Sequence, residues 1–347
     1  MLSNLMIPAV LFFGLGVLAR LVKSDLKFPP DLAKALSIYL LMAIGLHGGV
    51  ELAKADLGAA INAIIWALIL GFAMPVLGYW LLIVTRRVSP LDAAAIAAHY
   101  GSVSAGTFLT AIAFLDTQGV VYETYPLIML AVMESPAIIV GLLLAAQARQ
   151  KVKLQAGGNG AAAMANGNGH GNGHGNGEDK IRLGALLHEA FTNGSVVILV
   201  GSMAIGAMSL PGSMDKLKPF IDEIFMGALC LFLFEMGMEA ARRLGDFKRV
   251  GALLAGYGVV MPLIGGTIGV LIGHYALGFG VGGTTLVAVL AASASYIAVP
   301  PAMRLAVPEA NPSLYLTLSL GITFPFNVVL GIPLYHWMAS ALAGTGP

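Results

Sequence analysis

The chain has 347 residues, 58% of them hydrophobic and 11% charged, with a formal net charge of +1. A soluble domain carries about 25% charged residues, so this balance excludes an ordinary soluble domain, and the near-zero charge gives no sign of a nucleic-acid partner. The single cysteine, Cys230, excludes a disulfide framework within one chain.

Several apolar runs, Leu57 to Val84 among them, exceed the roughly 18 residues needed to cross the hydrocarbon core. The expected fold is all-α: a polytopic membrane protein with ten transmembrane helices. In chain order the spans fall roughly at 4–22, 32–53, 57–84, 90–115, 125–149, 185–209, 217–241, 248–275, 281–304 and 312–342. The first run lacks a basic start and continues as an ordinary span, so no cleavable signal peptide is expected. Between the fifth and sixth spans, residues 157–177 are built from Gly, Asn, Ala and His. Such a tract buries no apolar surface and reads as a flexible linker. His170 and His174 within it are weak ligands on a loop, so no metal site is expected. The organisation is a first five-helix repeat (1–150), a linker (151–180) and a second repeat (181–347).

Orientation follows from the basic residues. Sixteen lie on the odd-numbered connections, from Arg20 to Arg304; only Lys54, Lys216 and Lys218 lie on the other face. By the positive-inside rule the linker is cytoplasmic and both termini are outside. A bacterial inner (plasma) membrane is the expected location.

The halves repeat. Gly49-Val-Glu51-Leu-Ala-Lys54 is echoed by Gly237-Met-Glu239-Ala-Ala-Arg242, and Met74-Pro75-Val-Leu-Gly78 by Met261-Pro262-Leu-Ile-Gly265. Ser102-Val-Ser104 is echoed by Ser293-Ala-Ser295, and Glu134-Ser-Pro136 by Thr323-Phe-Pro325. All four pairs share an offset of 187 to 191. With five spans per half the second half inserts upside down, giving a 5+5 inverted repeat of the kind found in secondary transporters.

Two stretches interrupt otherwise helical spans: His99 to Thr107 and Ala292 to Pro301. They read as broken helices that cross at mid-membrane. A break frees backbone N–H and C=O groups, which in lipid must line a cavity or meet a ligand. A half-helix restarting there aims N–H groups and a favourable dipole at a small anion. Pro300 and Pro301 suit such a restart. Gly101 and Gly106 would allow a ligand close to the backbone. The hydroxyls of Ser102, Ser104, Thr107, Ser293 and Ser295 can donate to an oxyanion or accept a cation. The expected substrate site is therefore Gly101, Ser102, Ser104, Gly106, Thr107, Ser293, Ala294, Ser295 and Pro300. The Gly45–Gly49 and Gly265–Gly269 spacings read instead as close helix packing.

Ionisable residues within spans are functional candidates. Glu51 and Glu239 lie beside Lys54 and Arg242 and read as helix-end ion pairs. Glu134 is the better candidate for binding a coupling cation or proton. His99 is either a proton carrier or a hydrogen-bonded packing residue. Neither His-Glu-x-x-His nor Gly-x-Ser-x-Gly occurs, so no enzyme is signalled.

Met236-Gly-Met-Glu-Ala240, Gly273-His-Tyr-Ala-Leu-Gly-Phe279, and the run from Ala291 through Val299-Pro-Pro and Arg304 to Asn311-Pro312-Ser313 resemble the cyanobacterial sodium-dependent bicarbonate transporters. Gly101-Ser-Val-Ser104 is similar to that family's first broken helix. The resemblance spans nearly all of both halves. It implies core and gate domains, a homotrimer, bicarbonate uptake driven by sodium as the coupling ion, and a PII-like cytoplasmic regulator. Cation coupling is expected at Ser104, Glu134, Ser295 and Tyr296, and the resemblance implies that position 296 helps hold the sodium. There the sequence departs from the family, carrying Tyr296 where an aspartate is usual, and a tyrosine hydroxyl is a poorer ligand for a hard cation. The segment Ala298-Val-Pro-Pro also lacks a glycine usual before the prolines, and His47, His99 and Glu235 stand where the family tends to be neutral. Sodium-dependent bicarbonate symport is thus the expected activity. The alternatives are a proton-coupled or other small-carboxylate transporter, and a non-transporting sensor for a cytoplasmic partner. A cation/proton antiporter would place carboxylates at the crossing, where this chain has hydroxyls.

Overall fold

The computed structural model describes residues 7–161, 194–210, 212–244, 247–297 and 299–344. Residues 162–193, with His170, His174, most of the expected linker and the start of the sixth expected span, lie outside the described residues. The helices are α1 (Pro8–Leu21), α2 (Pro30–Leu52), α3 (Leu57–Thr85), α4 (Pro90–Gly101), α5 (Ala105–Thr117), α6 (Tyr125–Ala161) and α7 (Gly194–Met208). They continue as α8 (Phe225–Leu244), α9 (Phe247–Leu271), α10 (Val281–Ala292) and α11 (Val299–Ala306). A last helical run, α12 (Pro312–Leu342), alternates α and π turns. No strand occurs among the described residues.

The starts are chemically marked. Asp56 accepts the Ala59 N–H at 2.7 Å ahead of α3, and Ser89 accepts the Asp92 N–H at 3.0 Å ahead of α4. Each satisfies an N–H that the first turn leaves unpaired.

Six helices among the described residues are long and apolar enough to cross a bilayer unaided: Asp31–Leu52, Leu57–Thr85, Tyr125–Gln150, Pro219–Arg243, Gly251–Ala276 and Pro312–Leu342. The other four expected spans fall on shorter pieces. α1 has 14 residues and α7 has 15. The remaining two are divided by the breaks, into helices of 12 and 13 residues (α4, α5) and of 12 and 8 (α10, α11).

α3 shows what solvates this fold. Ile61, Ile65, Leu68, Phe72, Val76 and Trp80 form an exposed stripe at helical spacing, while Ala63, Ala67, Leu70, Met74 and Leu82 are buried on the other side. An uncovered apolar face of that length is a liability in water and the natural surface of a helix in lipid.

Two sets of helices pack reciprocally. α1 lies on α8 and α2 on α7, in both cases through glycines. A Cβ at Gly16 would meet the Phe234 carbonyl, and one at Gly237 the Phe13 carbonyl. Gly49 faces the Met203 carbonyl in the same way, and Gly206 the Leu46 carbonyl. Small residues let these backbones touch, which is how helices adhere where lipid removes the hydrophobic drive. In the second set α3, α4 and α6 pack together, and α9 packs on α10 and α12. Gly265 and Gly269 seat α9 against Ala291 and Ala288 of α10. The expected packing role of the Gly45–Gly49 and Gly265–Gly269 spacings is what these contacts show.

Pro262 interrupts α9, and the interruption is used. Lacking an N–H, it leaves the Gly258 carbonyl without its helical donor. Thr323 of α12 donates to that carbonyl at 2.7 Å, and the Tyr100 hydroxyl lies 2.6 Å from Thr323 Oγ1. With the threonine proton so committed, Tyr100 is the donor. The chain Tyr100–Thr323–Gly258 thus ties the residue just before the first break to the carbonyl that Pro262 leaves free in α9. The helix-end pairs also form: Lys54 with Glu51 at 3.0 Å, and Glu239 with Arg242 at 2.6 Å and Arg243 at 3.0 Å.

Candidate functional site

The two breaks meet. Ser104 caps α5: its Oγ accepts the Thr107 N–H at 3.2 Å and the Thr107 hydroxyl at 2.9 Å. The Ser104 N–H donates across to Ser293 Oγ at 3.0 Å, and the Ser295 N–H donates back to the His99 carbonyl at 2.8 Å. Ser102 and Ser293, which end α4 and α10, share one extended conformation, with φ/ψ of −87°/172° and −85°/165°. The paired motifs therefore fold alike and face each other.

Their hydrogen bonding is not alike. The Ser293 hydroxyl is fully used: it donates to the Leu290 carbonyl at 3.0 Å and accepts the Ser104 N–H. The matching acceptor for Ser102 would be the His99 carbonyl, which receives the Ser295 N–H and no bond from Ser102. Ser102 Oγ is left buried with no hydrogen-bond partner. The start of α5 adds two donors. Ser104 and Thr107 spend their N–H groups on Ser293 and Ser104, while the Ala105 and Gly106 N–H groups have no acceptor within the helix. α11 offers fewer donors there, because Pro300 and Pro301 in its first turn have no N–H. The available donors cluster on the Ser102–Gly106 side.

All of the expected substrate residues lie on the two breaks or the first turns after them. Ser102, Ser104, Thr107, Ser293, Ala294, Ser295 and Pro300 are buried. Gly101 and Gly106 are lined by protein. A Cβ on Gly101 would strike the Pro75 ring, and one on Gly106 would strike the Tyr296 hydroxyl. Tyr296 is 9% exposed, packs edge-to-face on Phe324 at 5.3 Å, and turns its hydroxyl toward Ser104 without an aligned hydrogen bond. Glu134 lies on α6, two residues before Pro136, whose ring packs on Gly71 of α3. His99 Nδ1 donates to the Ala95 carbonyl at 2.7 Å and its ring stacks on Tyr315 at 4.4 Å, while Nε2 has no partner.

Sequence reasoning missed the residues that brace the second break. Asn327 donates to the Ala292 carbonyl at 2.9 Å, capping a group that the end of α10 leaves free. The Tyr335 hydroxyl lies 3.1 Å from Asn327 Oδ1. An asparagine inside an apolar span was the available signal, since such a residue is costly in lipid unless bonded.

The sequence pattern that defines the Na+-dependent bicarbonate transporter superfamily matches residues 8–340. The chain belongs to that superfamily. Among curated proteins, none matches the sequence. Membership in a bicarbonate transporter superfamily suits a chain whose two broken helices meet through buried serine and threonine hydroxyls. It is a membrane transport protein, and its superfamily handles bicarbonate with sodium.

Proposed function

We propose that the protein imports a small anion, bicarbonate foremost, in symport with sodium by alternating access. The observation that carries this reading is the unmatched hydroxyl of Ser102 beside the free N–H groups of Ala105 and Gly106. Bicarbonate is small, planar and acceptor-rich. A buried break with two backbone donors, one hydroxyl and a helix N-terminus supplies what it loses on leaving water. Superfamily membership supports sodium as the coupling ion.

In this reading the ten expected spans form two inverted repeats. The glycine-seamed set α1, α2, α7 and α8 is the gate, and the set carrying both breaks is the moving core. The basic face, with Arg86, Arg87, Arg242 and Arg243, is cytoplasmic in the plasma membrane, and both termini are outside. A homotrimer and a PII-like regulator rest on the resemblance alone.

The test is uptake of labelled bicarbonate into proteoliposomes, first under an imposed sodium gradient and then under a proton gradient. Uptake that follows sodium is expected. Uptake that follows protons alone moves the coupling to a titratable group, a reading favoured by the neutral Tyr296. No uptake by folded protein under either gradient refutes the proposal.

A further inference from the structure

Glu235 stands on α8 in the gate set, one turn beyond Phe232. The edge of the Phe232 ring comes within 3.0 Å of the position a Cβ on Gly106 would take, so this face of α8 looks onto the start of α5. Glu235 Oε2 is buried and makes no hydrogen bond. The Tyr296 hydroxyl, also buried and without an aligned partner, borders the same Gly106 position from the core side. The face of α8 that carries Glu235 and the Tyr296 hydroxyl of the second break therefore come together where the two sets of helices meet.

The charges around Glu235 do not neutralise it. Glu239, one turn further along α8, repels it, and Glu239 itself holds both Arg242 and Arg243. Arg242 acts on Glu235 only through space. A shielded carboxylate oxygen with no committed counter-charge is costly in a low-dielectric interior. It is relieved by a proton or by a small hard cation held on carboxylate and hydroxyl oxygens.

We infer that Glu235 takes up the exchangeable monovalent cation that accompanies the anion, with the Tyr296 hydroxyl completing the site from the core side. The inference rests on the transport reading above, and it moves the carboxylate of the site from Glu134 on α6 to a residue of the gate. Such a site spans the two sets of helices. It is complete only while they are apposed, and it opens when they separate.

The experiment measures cation occupancy directly, so that it does not depend on uptake. Purified full-length protein in nanodiscs is assayed for radioactive sodium binding, and for the pH-dependent infrared band of a protonated carboxyl group. Glu235→Gln is compared with Glu134→Gln and with the unaltered chain. If sodium is the cation, E235Q weakens sodium binding by about tenfold or more, as loss of a charged ligand does, and E134Q does not. If the proton is the cation, E235Q removes a pH-dependent component of the carboxyl band that E134Q leaves in place. Sodium binding and the carboxyl band both unchanged in E235Q overturn the inference. Cation binding lost in E235Q from a protein that imports no bicarbonate keeps this inference while refuting the uptake reading. Should E235Q fail to fold, Glu235→Asp and Tyr296→Phe serve instead. Weakened cation occupancy in both is expected, and wild-type occupancy in both overturns the site.

Discussion

The Ser295 N–H donates to the His99 carbonyl at 2.8 Å, crossing from the second break to the first. Around it two near-identical motifs are unequal. The Ser102 hydroxyl makes no bond to that carbonyl, whereas Ser293 keeps the equivalent bond to Leu290. Ser102→Ala should therefore raise the apparent constant for the anion about tenfold, the usual cost of losing a hydrogen bond to a charged group, with thermal stability little changed. Ser293→Ala should act the other way round. It removes the acceptor for the Ser104 N–H and should lower the unfolding temperature first. Uptake kinetics and thermal unfolding on the same two preparations check this. Equal effects of both variants on the anion constant would refute the asymmetry.

Thr323 joins Tyr100 to the Gly258 carbonyl freed by Pro262. Thr323→Val keeps the shape and leaves two buried polar groups unpaired, a cost of about 1–3 kcal/mol for each group stranded. Tyr100→Phe removes one donor and leaves the Thr323–Gly258 bond intact, so it should destabilise less. Thermal unfolding in detergent should rank the two in that order.

Much of this was legible in the sequence, for a physical reason. Breaks inside apolar spans stand out because lipid tolerates no idle backbone, so Gly, Ser and Pro there carry information. Repetition at a fixed offset then pairs Ser102–Ser104 with Ser293–Ser295, and the structure brings those motifs together. What the sequence hid was how symmetry fails. Nothing in Ser102 or Ser293 as residue types says that only one keeps a free hydroxyl, because that is decided by how each break packs in the fold. Gly101 and Gly106 carried the opposite ambiguity. A glycine reports that something comes close, and here the Pro75 ring and the Tyr296 hydroxyl do so.

Beyond the spans, Glu309 accepts a two-pronged bond from Arg149, Nε at 2.9 Å and Nη2 at 2.6 Å. The guanidinium holds the Glu309 carboxyl below the usual carboxylate range. The folded-state value is depressed, so the stabilisation is present above the ordinary carboxylate value and lost as pH falls through the lower, folded one. Both side chains are partly solvated, so the pair contributes at most about 1 kcal/mol. Glu309→Gln should shift the unfolding temperature only slightly at neutral pH. The shift should vanish in acid, as thermal unfolding across a pH series will show.

Glu123, in the loop after α5, reaches the start of α10. Its Oε1 accepts the Gly280 N–H at 2.7 Å, which places a negative charge at the helix N-terminus, where the dipole favours it. The loop and the helix fit through two adjacent glycines that differ in what they face. A Cβ on Gly282 would strike the Val121 carbonyl, which is backbone. A Cβ on Gly283 would strike the tip of the Glu123 side chain, which can rotate away. Gly282→Ala should therefore cost about 1–3 kcal/mol, the usual range for overpacking against atoms that cannot move. Gly283→Ala should cost less, close to the loss of one exposed cap, and Glu123→Ala should match it without additivity, since both act on the same contact. Unfolding temperatures of the three single variants and the Glu123→Ala, Gly283→Ala double variant decide the matter. A Gly283→Ala change as damaging as Gly282→Ala would mean that Glu123 is held rigidly, and that the outer ends of the two broken helices move as one piece.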